Sequence, residues 1–403
     1  MFTRADDNSQ HLCSASSICR KRLLRMRWFS LGCLLLLLGG TSGGFAQTQP
    51  GRLQLVHADS GRSVSEGGFS VMELIGNVKF VQDSLEIVCD RARRIPERNL
   101  VELLGNVEVQ EGKKRLRAAR VNYFEDRRVQ EAIGNVIMND ESSELTAHKV
   151  TYFERDSLVI AEREVIMTQR DKRVRLTCGR AEYRRRDEYA KATITPVLVE
   201  LDSLGEENMR ITGDMIEMFG GGSRAKVTDK VEITRQETRA TCGEAEYFRD
   251  EKRLELRREP VAWREDEETK GETIELFFND DQKLVKSVVS GNATATSAID
   301  SVRSGQRINA LSGGTITTHF RNEQADQVVV EETATSVYYV VEDGKEKGTN
   351  RVQGDRITLF VENKELKRVL VQSNPGTSNG RYEPVFSAVP GSAAPGQNKK
   401  AGN

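Results

Sequence analysis

Apolar and polar positions alternate with a period of two through most of residues 60–372, as in Val107-Glu108-Val109 and Val231-Glu232-Ile233. Such alternation, rich in β-branched and aromatic residues, is the pattern of half-buried strands. No long window carries the spacing of a helix. The strands arrive in sets. Gly76-Asn77-Val78 opens one set and returns as Gly105-Asn106-Val107 and Gly134-Asn135-Val136, a step of 29 residues each time. The valine persists at Val165, Val197, Val231 and Val261, then becomes Ala293 after Gly291-Asn292, and a last unit centres near Ala334. Pro196 and Pro260 stand where the asparagine would be. A fixed period of about 30 residues signals stacked supersecondary units rather than unrelated domains.

Each unit has the same grammar. Alternating residues follow the Gly-Asn-Val marker, then comes a polar turn such as Gln110-Glu111-Gly112-Lys113. A second strand has a small residue near its middle, as in Leu116-Arg117-Ala118 running on to Val121-Asn122-Tyr123. A charged turn and a third short strand, such as Leu100-Val101-Glu102-Leu103-Leu104, lead to the next marker. About nine such units predict an all-β stack with an apolar inner face and a charged outer face. That division explains how a chain with 30% charged residues folds.

The ends differ from the body. Arg20, Lys21, Arg22, Arg25 and Arg27 precede an apolar run, Trp28 to Leu38, and Gly44-Phe45-Ala46 fits a small-x-small cleavage site before Gln47. Residues 1–46 read as a secretory signal peptide, too short in its apolar run for a membrane span. Met26 is a candidate alternative start. Residues 373–403 collect four of the eight prolines with Ser, Gly and Ala, and read as a disordered tail.

Composition removes several kinds of chemistry. Sixty basic residues against 61 acidic argue against a basic nucleic-acid binder. Four histidines and no nucleotide-cradle or nucleophile-elbow motif argue against catalysis, a metal or a cofactor. Gly220-Gly221-Gly222 reads as a hairpin, and His148 as a surface residue. Beyond the signal, Cys89, Cys178 and Cys242 fall where other units carry Ala118, Ala147, Gly213 or Gly271. They read as small buried residues, since their separation fits neither a zinc site nor full pairing. Basic clusters at 113–120, 170–175 and 184–186 read either as solvated turns or as a cationic rim for anionic head groups.

A signal peptide followed by Gly-Asn-Val strands and L-x-A-x-x-V-x-Y strands resembles the OstA-like, or LptA, family of periplasmic lipopolysaccharide-transport proteins. The residues that carry it are Leu103-Leu104-Gly105-Asn106-Val107 through Leu116-Arg117-Ala118 to Val121-Asn122-Tyr123. The resemblance covers about 53–372 and is clearest over 71–185. It implies an elongated β-jellyroll with clear repeats over 47–200 and degenerate ones over 201–372, roughly twice the repeats of a short member. It also implies a periplasmic bridge protein without enzymatic activity that shields acyl chains of lipopolysaccharide or a related lipid. Partners would be related β-jellyroll proteins of the inner and outer membrane, or further copies of the chain, with no nucleic acid.

Residues sharing the face of each marker are the expected lipid-lining set: Val78, Phe80, Val107, Val109, Val136, Met138, Val165, Met167, Val197, Val199, Val231 and Ile233. The competing reading is a structural or adhesive β-solenoid with a dry, packed interior. A carbohydrate-acting β-helix would need carboxylates clustered at consecutive repeats, which the sequence lacks.

Overall fold

The computed structural model describes residues 53–280, 283–298, 308–322, 324–342, 345–362 and 365–385. The expected signal peptide, its cleavage site and Met26 lie outside these residues, as does the chain after 385.

The described residues form one antiparallel sheet. Two short strands, β1 (Gln54–His57) and β2 (Ser60–Glu66), share the first edge and pair with the two halves of β3 (Phe69–Gln82). A meander of long strands follows: β4 (Leu85–Ile95), β5 (Leu100–Glu111), β6 (Lys114–Phe124), β7 (Val129–Asn139), β8 (Ser143–Phe153), β9 (Leu158–Gln169) and β10 (Val174–Arg184). Some later strands are split in two. These are β11 (Tyr189–Thr193) with β12 (Val197–Leu201), and β13 (Glu207–Thr212) with β14 (Met215–Phe219). After the long β15 (Arg224–Arg235) and β16 (Thr238–Phe248) come β17 (Arg253–Arg257) with β18 (Val261–Arg264), and β19 (Glu267–Lys270) with β20 (Thr273–Phe278). The sheet ends with β21 (Leu284–Ala298), β22 (Ile308–Arg321), β23 (Gln324–Glu342), β24 (Lys345–Glu362), β25 (Glu365–Gln372) and β26 (Asn379–Pro384).

The marker is a corner in a strand, not its beginning. What reads in sequence as a third short strand and the first strand of the next unit is one element, β5, running through Gly105-Asn106. The register jumps there. Leu104 faces Arg120 and Val107 faces Ala118, so Gly105 and Asn106 oppose the single residue Ala119. An extra residue on one strand bends it. Gly105 has φ 71° and Asn106 φ 43°, two successive left-handed residues. Glycine and asparagine tolerate that conformation best.

Nine such left-handed pairs stand at strand corners among the described residues, beginning at 76, 105, 134, 163, 194, 229, 258, 291 and 332. The corner therefore outlives its Gly-Asn spelling. Arg163-Glu164, Ile194-Thr195, Asp229-Lys230, Arg258-Glu259 and Glu332-Thr333 hold the same conformation. These positions also correct the reading of two units. The residue after each pair is the equivalent of the marker valine, so Pro196 and Pro260 replace the valine, not the asparagine. The sheet splits at both places because proline has no N–H for the ladder.

The corners are clasped by side chains. Asn106 Nδ2 donates to Asp90 at 2.9 Å, Asn77 to Asp59 at 3.2 Å and Asn292 to Glu272 at 3.3 Å. At a degenerate corner Lys230 does the same to Asp214 at 3.2 Å. The lined-up corners divide the sheet lengthwise into two arms, one before each corner and one after it.

The tail expectation is corrected in part. Residues 379–384 form β26, which pairs with Gly348–Gln353 of β24 and is not disordered. Strand pairing there outweighs the Gly/Pro-rich composition, which deters helix more than it deters an edge strand.

Candidate lipid-lining face

Both arms turn one face inward. Register assigns that face. On the arm after the corner, Phe80, Ile87, Val109, Leu116, Met138, Leu145, Met167 and Leu176 lie directly opposite one another across successive strands. On the arm before it, Ala92, Leu103, Val121, Ala132, Val150 and Ala161 do the same. The two faces form one apolar cluster that runs from Leu53 to Leu359.

Ten of the twelve expected lining residues lie on this face. Val78, Val107, Val136 and Val165 line the inside of the corners and are at most 1% exposed. Phe80, Val109, Met138, Val231 and Ile233 are also buried, and Met167 is half-buried against the same cluster. Val197 and Val199 are not on it. Leu176 belongs to the cluster and faces Leu198, so Val197 and Val199 lie on the other face of the sheet, opposite Thr177 and Arg175, where Val199 is still buried and Val197 half-buried. Pro196 and Leu198 take their places. The one-residue phase error at Pro196 is the cause, because a slip of one residue moves a strand's side chains to the other face.

The sequence reading missed the opposing arm altogether. Its signal is in the second strand motif, where Val121, Val150 and Ala181 follow the small residue by three positions. The next inward position holds Tyr123, Tyr152, Tyr183 and Tyr247. Tyr123 is 2% exposed. Burial raises the pKa of its phenol, with Glu154 and Glu125 adding to the effect.

The outer face of the first arm is a charged ladder. Glu73, 5% exposed, lies among Arg62 at 2.7 Å, Arg91 at 3.5 Å and Arg93 at 3.8 Å. Glu102 joins Arg93 at 3.2 Å and also pairs with Arg120. Further along, Glu244, Glu246, Arg257 and Lys226 form a second network. Part of the basic clusters expected as a rim is drawn into such pairs. Arg115 and Arg117 reach Glu108 at 3.0 and 3.1 Å, Arg170 reaches Glu144 at 2.8 Å, and Lys113 pairs with Glu141. Opposite charges on adjacent strands favour this register.

Cys89, Cys178 and Cys242 are free and buried at inner-corner positions, as small-residue packing requires. Burial pushes each thiol up to about 11. The folded protein should therefore resist a thiol-reactive disulfide reagent at pH 8 and react with all three thiols in denaturant, by absorbance. Because the folded pKa is raised, the thiols' contribution to stability is complete below the unfolded value near 9. It falls as pH rises from there through about 11. Fast labelling of the native protein at pH 8 contradicts the burial.

Among the described residues no group of His, Cys, Asp or Glu is placed to hold a metal, and no helix is long and apolar enough to cross a membrane.

No curated protein matches the chain. Sixteen chains of solved structures do. One is LptH from Pseudomonas aeruginosa, described as the LptA homologous periplasmic component of the conserved lipopolysaccharide transport device. It is 15% identical with a TM-score of 0.27, over 38% of this chain and 95% of LptH. Residues 51–199 match the family of the OstA-like protein. That segment, which holds the three Gly-Asn corners at 76, 105 and 134, is OstA-like.

Proposed function

We propose that the protein is a periplasmic lipid-binding bridge for lipopolysaccharide transport toward the outer membrane. The observation that supports this reading best is the single apolar face that continues from Leu53 to Leu359 along an elongated sheet. A lipid with several acyl chains crosses water only if its chains stay shielded, at about 0.8 kcal/mol per buried CH₂. A lining that repeats every strand offers similar burial at each step, so no position becomes a deep trap. Direction must come from partners. The protein would act as a carrier and not as a catalyst.

Both sheet edges suit such a chain of contacts. The first edge carries β1, with Leu55 49% and Val56 58% exposed, and the last carries β25 and β26. An open edge adds a partner strand through backbone hydrogen bonds. The partners would be related β-jellyroll proteins of the two membranes or a second copy. In this reading 47–200 is the clearer OstA-like unit and 201–372 a degenerate continuation of it.

One observation favours the rival, a structural β-stack without lipid: the corner valines of the first four repeats are almost wholly buried. The deciding experiment purifies residues 47–403 from a lipopolysaccharide-making host and analyses the organic extract by mass spectrometry. Stoichiometric lipid A species are expected. A lipid-free chain that also takes up no added lipopolysaccharide would leave the structural stack as the better reading.

A further inference from the structure

The inner face changes character along its length. In the first half, the second inward position after each corner holds Phe80, Ile87, Val109, Leu116, Met138 and Leu145, each under one tenth exposed. The same row continues through the second half by unbroken cross-strand register. There it reads Ala262, Thr269, Ala295, Leu311, Ser336 and Val352. All but Ser336 are partly exposed.

The opposing arm changes in step. At the equivalent depth, Val101, Tyr123 and Val159 of the first half are buried, while Tyr152 and Tyr183 of the same row are half-buried. Leu254, Leu276 and Val328 of the second half are partly exposed, and the row closes again at Leu359, 6% exposed opposite Val328. The floor below them stays closed, with Leu256, Ile274, Val289, Ile316, Val330 and Ile357 at 0–2%. The row after the corners is therefore closed over in the first three repeats and left accessible in the later ones, where Leu254, Leu276 and Val328 across from it are also partly exposed.

We propose that the acyl-binding stretch lies in the second half, between about residues 238 and 362, and that the first three repeats form a closed stem. This rests on the lipid-carrier reading above and relocates its site. The occupant is an aliphatic chain lying along the long axis. The floor is made only of Leu, Ile and Val, and the row above it is uncharged. Backbone groups there are committed to neighbouring strands, so an extended peptide finds no partners on this face, whereas a hydrocarbon chain needs none. Six strand spacings separate Ala240 from Val352, about 29 Å. Two leaflets of acyl chains together span only about 30 Å, so one chain fits with room to slide.

The test places the photoreactive residue p-benzoylphenylalanine at Leu311 or at Met138 in the full mature chain. Each variant is irradiated with added lipopolysaccharide. Crosslinking at 311 is expected to exceed that at 138 severalfold. Thr269 serves in place of Leu311 if that variant misfolds by circular dichroism. Ala295→Trp, which fills the open row, should lower lipopolysaccharide uptake severalfold with the sheet intact. Lipid bound and crosslinked at 138 more than at 311, or at neither site, overturns this assignment and leaves the carrier reading standing. An unmodified chain that binds no lipopolysaccharide removes both.

Discussion

Val107→Asp should lower the stability of the surrounding repeats by about 3–5 kcal/mol. Val107 is 1% exposed at the inside of a corner, opposite Ala118. The substitution loses about 1.5–3 kcal/mol of apolar burial. It also buries a carboxyl with no partner, which must stay protonated or drag water into the cluster. Stability in a repeat array is nearest-neighbour in character, so the damage stays local. Hydrogen exchange over residues 85–139 reads it better than a single melting temperature.

The same experiment checks the corrected phase of the later repeats. Leu198→Asp should be as costly in kind as Val107→Asp, because Leu198 faces Leu176 in the apolar cluster. Val197→Asp should cost clearly less than Leu198→Asp, since Val197 is half-buried on the face away from the apolar cluster. Equal losses at 197 and 198 would show that Pro196 does not hold the valine's place. A consequence follows for function. An acidic substitution at Val107 disrupts the local packing whether or not lipid touches it, so it cannot distinguish a lipid contact from a packing residue.

The second large effect concerns the corners. Gly105→Val should destabilise by about 2–3 kcal/mol, since the left-handed conformation alone costs an L-residue about 1–2 kcal/mol. The new Cβ would also run into the Asp90 carboxylate that accepts from Asn106, breaking that clasp. Ile194→Gly should act in the opposite direction, gaining about 1 kcal/mol. Ile194 is β-branched at φ 64° and 61% exposed, so its removal relieves strain and loses little burial. The gain is net of the flexibility glycine adds to the unfolded chain, about 0.5–1 kcal/mol. Urea midpoints followed by exchange near each corner measure both. A destabilised Ile194→Gly protein would mean that the isoleucine side chain, packed close to Gly179, supports the corner instead of straining it.

Much of this architecture was legible in the sequence. Period-two alternation gave the strands, and the 29-residue step gave the stacking, because both are set locally by backbone geometry and side-chain size. The marker's own chemistry explains why its first copies are so regular: Gly76, Gly105 and Gly134 sit at φ 71–81°, which glycine alone takes at no steric cost. The cysteines were legible for the same reason. A small buried position recurs once per unit, and Cys fills it as Ala and Gly do.

Two things were not legible. The continuity of a strand through its corner depends on pairing with both neighbours at once, and turn-like residues conceal it. The phase of the later units was hidden because Ile194-Thr195 and Arg258-Glu259 adopt the corner without its usual residues. Neighbouring strands impose the left-handed pair there, and local propensity has no say. Only the folded sheet also decided which wall faces the markers. The opposing arm's residues alternate as well as the others do, yet their burial against the arm after the corners exists only once the sheet is bent. The sequence by itself determined the strands, the repeat and the small inner-corner positions. The tertiary structure decided the phase at Pro196 and Pro260, the partner wall and where the row after the corners is left accessible, because each depends on cross-strand register, which no single strand carries.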